Sequence, residues 1–391
     1  MSVLFLTSES PYPPSGGGKL RDAQMIRLLR EREMVDVLCF ETASVLPDES
    51  QDENVSFITR DRPPIWKRVL YPMRPYVVNG YSRRMEAALR ERAEPNRILW
   101  ISRLAMAQYI PLARSLGYRV ILDEHNVESS ILMNAAVSSM RHWPETLIAA
   151  QCAYYEEKFC ESSHAVVATS EIDASRLHRI APKAPIHVIP NAIDSPTYAP
   201  LREKAGTTLF FPGTLNYYPN IEGLHWFAYE VLPRLRATLG DQTPRVVVAG
   251  ANPSDDLLVR LGNQGVEVIA NPPSILPHLQ DAAVVFVPIR SGGGTRLKIL
   301  EAMAAGRPVV STGKGAEGLV LAPFYDICIA DQADTFTSSI ARLLRDPALR
   351  LEMGERAAKT VSERYDWRCA RPMIEQLLVS VSLPKVSVIV P

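Results

Sequence analysis

Short runs of β-branched and other apolar residues alternate along the chain with longer stretches whose apolar positions recur at helical spacing. That rhythm predicts a parallel sheet whose crossover connections are helices. In the first half, residues 3–7, 35–40, 98–101, 120–123, 165–169 and 186–189 read as strands. Residues 20–32, 82–94 and 143–160 read as helices between them. The second half restarts the pattern, with strands at 208–211, 245–249, 266–269, 284–288, 309–311 and 327–330. Its helices fit 221–235, 255–261, 274–280, 295–305, 333–345 and 348–364. Each half alone would build a six-stranded doubly wound sheet, so two α/β domains are expected. The break falls between Pro190 and Ala205, where Pro190-Asn191-Ala192-Ile193-Asp194 is followed by Pro196, Pro200 and the charged Arg202-Glu203-Lys204. Turn formers plus charge between two apolar programmes mark a linker.

Length and composition narrow the classes. At 391 residues the chain suits two or three domains. Hydrophobic residues at 47% and charged residues at 22% allow sizeable cores and exclude wholesale disorder. Lysine plus arginine (43) balances aspartate plus glutamate (43), which argues against a nucleic-acid binder. The 5 cysteines are odd in number and include no CxxC, which fits a reducing compartment and neither a disulfide framework nor a structural zinc site. The apolar opening, Met1 to Thr7, stops at Ser8-Glu9, too short for a signal peptide, and no run reaches the ~18 apolar residues of a membrane span. A soluble cytoplasmic protein is expected.

Three constellations carry candidate chemistry. Gly16, Gly17 and Gly18 follow the first strand and precede a helix, where bare backbone can approach a nucleotide phosphate or a sugar. The loop is not GxGxxG and no ribose acid stands about twenty residues on, so NAD binding is a poor fit. The second loop, Ser291-Gly292-Gly293-Gly294-Thr295-Arg296-Leu297-Lys298-Ile299-Leu300-Glu301, ends a strand and opens a helix with Arg296 and Lys298 in its first turn. Cations there oppose the helix dipole unless an anion shares the spot, held by free amides and two positive charges. Glu301 lies one turn beyond Lys298, placed for the hydroxyls of a ribose; the bland alternative is an exposed Lys298–Glu301 pair. In the third, Asp123-Glu124-His125-Asn126-Val127-Glu128 crowds polar groups at the end of a strand, where open α/β sheets bind ligands. No pattern of metal ligands stands at a strand end, and two fixed cations can neutralise a departing diphosphate, so no metal cofactor is expected. A basic, aromatic-rich stretch (Arg60, Arg62, Trp66, Lys67, Arg68, Tyr71, Arg74, Tyr76, Tyr81, Arg83 and Arg84) offers an anionic lipid surface or an acidic acceptor a place to dock, or else is a solvated face over core aromatics.

These residues carry a resemblance. The GGGTRLKILEAMAAGRPVV run, Phe211-Pro212-Gly213-Thr214-Leu215-Asn216-Tyr217-Tyr218-Pro219-Asn220, and Pro190-Asn191-Ala192-Ile193-Asp194 together resemble glycosyltransferase family 4 over nearly the whole chain. The resemblance implies a retaining enzyme of GT-B fold: two Rossmann-like domains, 1–195 on the acceptor side and 196–370 binding a nucleotide sugar, facing a central cleft. A helix and linker at 371–384 would cross back to the first domain, opened by Tyr365-Asp366-Trp367. Carried over by position, Gly16–Gly18, Gly213, Thr214, Gly293, Gly294 and Thr295 would face the donor. Arg296 and Lys298 would hold its diphosphate and Glu301 its ribose. His125 resembles the histidine kept near the donor sugar, with Glu124, Asn126 and Glu128 as candidate acceptor or cleft residues. The family's usual first acid, eight residues before the ribose glutamate, is Gly293 here, as in a subgroup reading GxGTRxKxLEAM. The expected activity is hexosyl-type transfer to a hydroxyl of a growing cell-surface glycan or lipid-linked glycan, at the cytoplasmic face of the membrane. A sugar-nucleotide epimerase or hydrolase, or a silent nucleotide-sugar-binding module, is the alternative. Residues 385–391 (KVSVIVP) resemble the first strand of a family-two GT-A glycosyltransferase domain, implying fusion to a second enzyme.

Overall fold

The computed structural model describes residues 2–13, 16–41, 52–61, 80–138, 142–203 and 206–382. Most of the basic stretch (Arg62, Trp66, Lys67, Arg68, Tyr71, Arg74, Tyr76) and the 385–391 segment lie outside them. The chain divides into two units: residues up to Pro190 together with those from Ala370 onward, and Asn191–Cys369.

The first unit is built on strands β1 (Ser2–Leu6), β2 (Met34–Phe40), β3 (Val55–Ile58), β4 (Ile98–Ser102), β5 (Arg119–Glu124), β6 (Ala165–Ala168) and β7 (Ile186–Val188). They form one parallel sheet in the order β3-β2-β1-β4-β5-β6-β7. Its helices are α1 (Gly17–Arg30), α2 (Arg83–Glu91), α3 (Ile110–Ser115), α4 (Glu128–Ser138), α5 (His142–Ser162) and α6 (Glu171–Ile180). The inner strands are continuous apolar runs because helices cover both faces, and Phe5, Trp100, Leu99 and Val166 are fully buried. Serines fix helix starts where the chain leaves the sheet: Ser82 accepts from the Met85 amide and Ser170 from that of Asp173. Sequence periodicity misses β3, a four-residue, half-buried edge strand between polar neighbours, so the sheet has seven strands instead of six.

The second unit comprises α7 (Ser195–Tyr198), β8 (Thr208–Pro212), α8 (Tyr218–Trp226), α9 (Leu232–Leu239), β9 (Val246–Gly250), α10 (Asp255–Asn263), β10 (Val266–Ala270), α11 (Leu276–Gln280), β11 (Ala282–Val287), α12 (Leu297–Ala304), β12 (Val309–Ser311), β13 (Cys328–Ile329), α13 (Ala333–Arg345), α14 (Pro347–Arg364) and the start of α15 (Trp367–Ser382). Its parallel sheet runs β10-β9-β8-β11-β12-β13. Phe227 stacks on Phe286 with ring centroids 3.9 Å apart, between α8 and the sheet. The helix expected over 221–235 is interrupted: a π-helical turn, Phe227–Val231, separates α8 from α9. Pro233, lacking an N–H, sits just after it in the first turn of α9.

In both sheets the strand order reverses beside the first strand of the unit, between β1 and β4 and between β8 and β11. Loops leaving those strands diverge and leave room for a ligand. The glycine loops sit there.

The segment expected to be a linker is instead a fixed part of the second unit. Ile193 donates its amide to the Tyr365 carbonyl (2.9 Å) and accepts from that of Trp367 (3.2 Å). Ser195 donates its N–H (3.1 Å) and hydroxyl (2.6 Å) to Asp366. Arg202 caps the Ala304 carbonyl at the end of α12 (2.9 Å). Burial would raise the Asp366 carboxyl, but hydrogen bonds from Arg368 and Ser195 outweigh it and hold the group at about 2. A carboxylate depressed in the folded state stabilises fully above its unfolded value of about 3.9, and that contribution is lost as pH falls towards 2. Asp366→Asn is therefore expected to cost roughly 2 kcal/mol at pH 7. The difference from wild type should shrink at pH 2.5, as read from urea unfolding midpoints at the two pH values.

Candidate functional site

In the second unit, Gly213 directly follows β8 and Lys298 stands in the first turn of α12. The Lys298 ammonium lies 3.9 Å from the centroid of Phe211 and donates to Asn220 Oδ1 at 3.0 Å. Asn220 in turn donates to the Thr214 carbonyl at 2.7 Å, tying the loop after β8 to the lysine. A Cβ on Gly213 would fall 2.6 Å from Lys298 Nζ, so glycine here makes room for the cation. Burial, with the Arg296 guanidinium adding to it, pushes the Lys298 pKa well down; Glu301 only partly opposes them.

Arg296 is the N-cap of α12 and not a residue of its first turn, because its backbone is extended (φ −89°, ψ 94°). Its fork donates to the Gly293 (2.5 Å) and Ser291 (3.3 Å) carbonyls. Gly292 (φ +87°) and Gly294 (φ +78°) take left-handed conformations that let the loop fold around it. Arg296 Nε and Thr295 Oγ1 are buried without a hydrogen-bond partner among the described residues, donor groups waiting for an acceptor. Glu301 accepts from the Tyr198 hydroxyl at 3.1 Å. Burial raises the Glu301 carboxyl, against the Tyr198 hydrogen bond and the charge of Lys298, while burial and Glu301 push the Tyr198 phenol up.

In the first unit, Gly16 (φ +84°) precedes α1 and Gly17 opens it. A Cβ on Gly18 would fall 2.7 Å from Arg103 Nη2. His125, just beyond β5, is buried at 7% exposure. Its Nε2 lies 3.3 Å from Ser102 Oγ and 3.4 Å from Asp22 Oδ1. Asp22 accepts from Ser102 (2.7 Å), Thr7 (2.9 Å) and Arg103 (3.4 Å). Burial favours a neutral Asp22, but the hydrogen bond and charge of His125, with Arg103 and Ser102, outweigh it and lower its pKa. Arg21 pairs with Asp123 at 2.9 Å, both side chains fully buried.

The neighbouring acids behave differently. Glu124 is interior, 1% exposed, and burial with the fields of Glu156 and Glu128 raises its pKa strongly. Burial raises Glu128 too, against its hydrogen bond with Asn126, and lifts Glu156 to about 7. No group of His, Cys, Asp and Glu among the described residues is placed to hold a metal.

The structure thus joins Gly213, Lys298 and the loop Gly293–Arg296 in one place, and sets Glu301 one helical turn on. His125 belongs to the first unit, with partners the motif reading had not named. Asn220 lay inside a quoted motif without a role. Tyr198 was hidden in the presumed linker. Asp22 had left a trace: an acid at the head of the α1 stripe formed by Met25, Ile26 and Leu29, all buried.

Residues 16–195 match the family model described as Glycosyltransferase Family 4, and residues 206–346 match that of Glycosyl transferases group 1. The chain is a glycosyltransferase of the family-4 type. No curated protein sequence matches it. Among solved structures, sucrose-phosphate synthase from Thermosynechococcus elongatus is similar at 17% identity and TM-score 0.75, covering 97% of this chain and 99% of that one. Anabaena HepE, solved in complex with UDP, is similar at 16% identity and TM-score 0.69, covering 97% and 100%. TarM is similar at 10% identity and TM-score 0.73, covering 97% and 99%. At these identities the likeness establishes the GT-B fold, and the two doubly wound sheets are its Rossmann-like domains.

Two glycines of the glycosyltransferase separate packing from chemistry. A Cβ on Gly250 would lie 1.6 Å from the Gly213 carbonyl oxygen, rigid backbone that cannot yield, whereas on Gly213 it meets first the tip of the long Lys298 side chain at 2.6 Å. Gly250→Ala is expected to destabilise by about 3 kcal/mol or more, and Gly213→Ala by about 1 kcal/mol or less. Urea unfolding followed by circular dichroism checks both, and equal losses would contradict the assignment.

Proposed function

We propose that this glycosyltransferase moves a sugar from a nucleotide-diphosphate donor to a hydroxyl of a glycan or lipid-linked glycan, with retention of configuration. The observation that carries the reading is the Arg296–Lys298 pair at the head of α12. Two cations lie side by side where the helix dipole already disfavours them, and Lys298 is driven towards its neutral form. A diphosphate supplies the missing negative charge, and the unpartnered Arg296 Nε and Thr295 hydroxyl supply donors for its oxygens. Glu301, steadied on one oxygen by Tyr198, has its second carboxylate oxygen for a ribose hydroxyl. HepE was solved with UDP, which supports a nucleotide in a protein of this fold.

In this reading the diphosphate gains charge as the glycosidic bond breaks, and Arg296 and Lys298 hold it more tightly then than before. The departing diphosphate takes the acceptor's proton on the same face of the sugar, which preserves configuration. Side-chain cations do the work, with no metal cofactor in the proposal. No helix among the described residues is long and apolar enough to cross a membrane. A lipid-linked acceptor is proposed to be met at the membrane surface, with the Arg60–Arg84 region as the contact.

Thermal shift against UDP-, GDP-, ADP- and dTDP-sugars should single out a donor, since a ligand at one hundred times its Kd stabilises by about 2.7 kcal/mol. No shift with any of them would count against a nucleotide-sugar donor. Steady-state kinetics with that donor then separate the roles. Lys298→Ala should lower kcat at least about tenfold with a smaller change in KM. Arg296→Lys should also be damaging, because an ammonium cannot reproduce the fork. Glu301→Gln should mainly raise donor KM. A Lys298→Ala variant with intact kcat would make these residues donor anchors only.

A further inference from the structure

The glycine loop that leads to Arg296 leans on one face of α8. Pro219, Glu222, Gly223 and Trp226 recur at i, i+3, i+4 and i+7, so they share a side of that helix. Each meets a different point of the segment leaving β11. Gly223 lies so close that a Cβ there would collide with the Pro288 carbonyl oxygen. The Arg290 guanidinium stands 5.4 Å from the centroid of the Trp226 ring. Ser291 donates its hydroxyl to Glu222 Oε2. A Cβ on Gly292 would fall 2.9 Å from Pro219 Cγ and 3.1 Å from Arg296 Nη2, so this glycine is pinched between α8 and the arginine. The Ser291–Glu222 hydrogen bond is the directional member of the set, and nothing in the donor reading so far has used it.

We propose that Glu222 and Ser291 are positioning residues, a latch that fixes the glycine loop and thereby aims the Arg296 guanidinium at the donor. Ser291 is gripped twice. Its side chain is drawn to α8, while its carbonyl accepts from Arg296 Nη2 at 3.3 Å. The Gly293 carbonyl takes Nη1 at 2.5 Å. Two carbonyls of one loop thus set the plane of the fork. They also set the direction of the buried Nε–H, which has no partner among the described residues. Three successive glycines leave a loop many conformations to lose on ordering. A hydrogen bond from the residue just before them removes part of that freedom before any ligand arrives. An acid is otherwise out of place beside a loop read as binding an anion, because it repels the charge the loop receives. Its grip on Ser291 accounts for its presence, and a glutamine oxygen could accept the same hydroxyl. The latch is a property of the second unit alone; its consequence for the donor rests on the transferase reading above.

The test uses the full chain with 15N-labelled arginine, and proton–nitrogen spectra of the Nε–H groups recorded without donor. Arg296 is assigned by the signal lost in Arg296→Lys. The wild type should give one Arg296 signal set apart from those of exposed arginines. Glu222→Ala and Ser291→Ala break the same bond from opposite ends, and circular dichroism checks that each is folded. Both should move the signal toward the exposed arginines, and Glu222→Gln should return it. A signal left in place by both alanine variants overturns the proposal. With the UDP-, GDP-, ADP- or dTDP-sugar selected by thermal shift, each alanine variant should lower kcat/KM about tenfold, and Glu222→Gln should recover most of the loss. In an Arg296→Lys background Glu222→Ala should add less than about twofold, because no fork remains to be aimed. A second full loss in that background shows that Glu222 does not act through Arg296, and the proposal fails. The spectra need no donor, so absence of transfer with every sugar nucleotide would sink the transferase reading and leave the latch result standing.

Discussion

The site in the second unit is organised around an electrostatic conflict: an ammonium and a guanidinium confined together at the positive end of a helix. Left to itself, that arrangement should push Lys298 away or strip its proton. Three features hold the lysine where it is. The Phe211 ring offers its negative face, Asn220 offers a carbonyl oxygen, and Gly213 offers space where any side chain would intrude. Gly250 is a further step removed, since only a residue without Cβ lets the Gly213 carbonyl pass. The order of β8, its loop and α12 thus serves a charge that the fold does not itself neutralise.

The first unit handles its buried charges in the opposite way. Arg21 is matched by Asp123, and Asp22 is matched by Arg103 with two hydroxyls, while His125 Nδ1, Arg103 Nε and Glu124 Oε1 stay buried without a partner among the described residues. Buried ionic groups gain little net stability when paired and cost heavily when one partner is lost. Such a network serves better as a rigid mount than as a source of stability. It stands at the ends of β1, β4 and β5, beside the reversal in strand order.

Much of this was legible in the sequence, because strands buried on both faces and helices with one apolar stripe announce themselves by period. The glycine loop with Arg296, Lys298 and Glu301 was equally visible, since those types in that spacing conflict with helix electrostatics unless a ligand is present. What escaped has physical reasons too. The β3 strand is short and half-buried, so it carries no alternation. The π-helical turn before Pro233 keeps the apolar pattern of a continuous helix. Arg296 stops one position short of the helix because its extended backbone turns the side chain onto its own loop. Asn220, Tyr198 and Ser102 act through hydrogen bonds to Lys298, Glu301 and Asp22, residues far along the chain, which no local spacing encodes.

The stretch from Asn191 to Glu203 has a consequence for anyone recombining such enzymes. It looks like dispensable connection, and a chimera joined anywhere within it would appear harmless on paper. Yet its Tyr198 donates a hydrogen bond to Glu301, its Arg202 caps the helix carrying that acid, and Ser195 anchors it to Asp366. A graft of the second unit must therefore begin at Asn191, with Pro190 left to the recipient. It must also end before Ala370, where the chain rejoins the first unit. The transplantable module is an internal segment with two seams, and exchanging it between relatives is a problem of insertion more than of fusion.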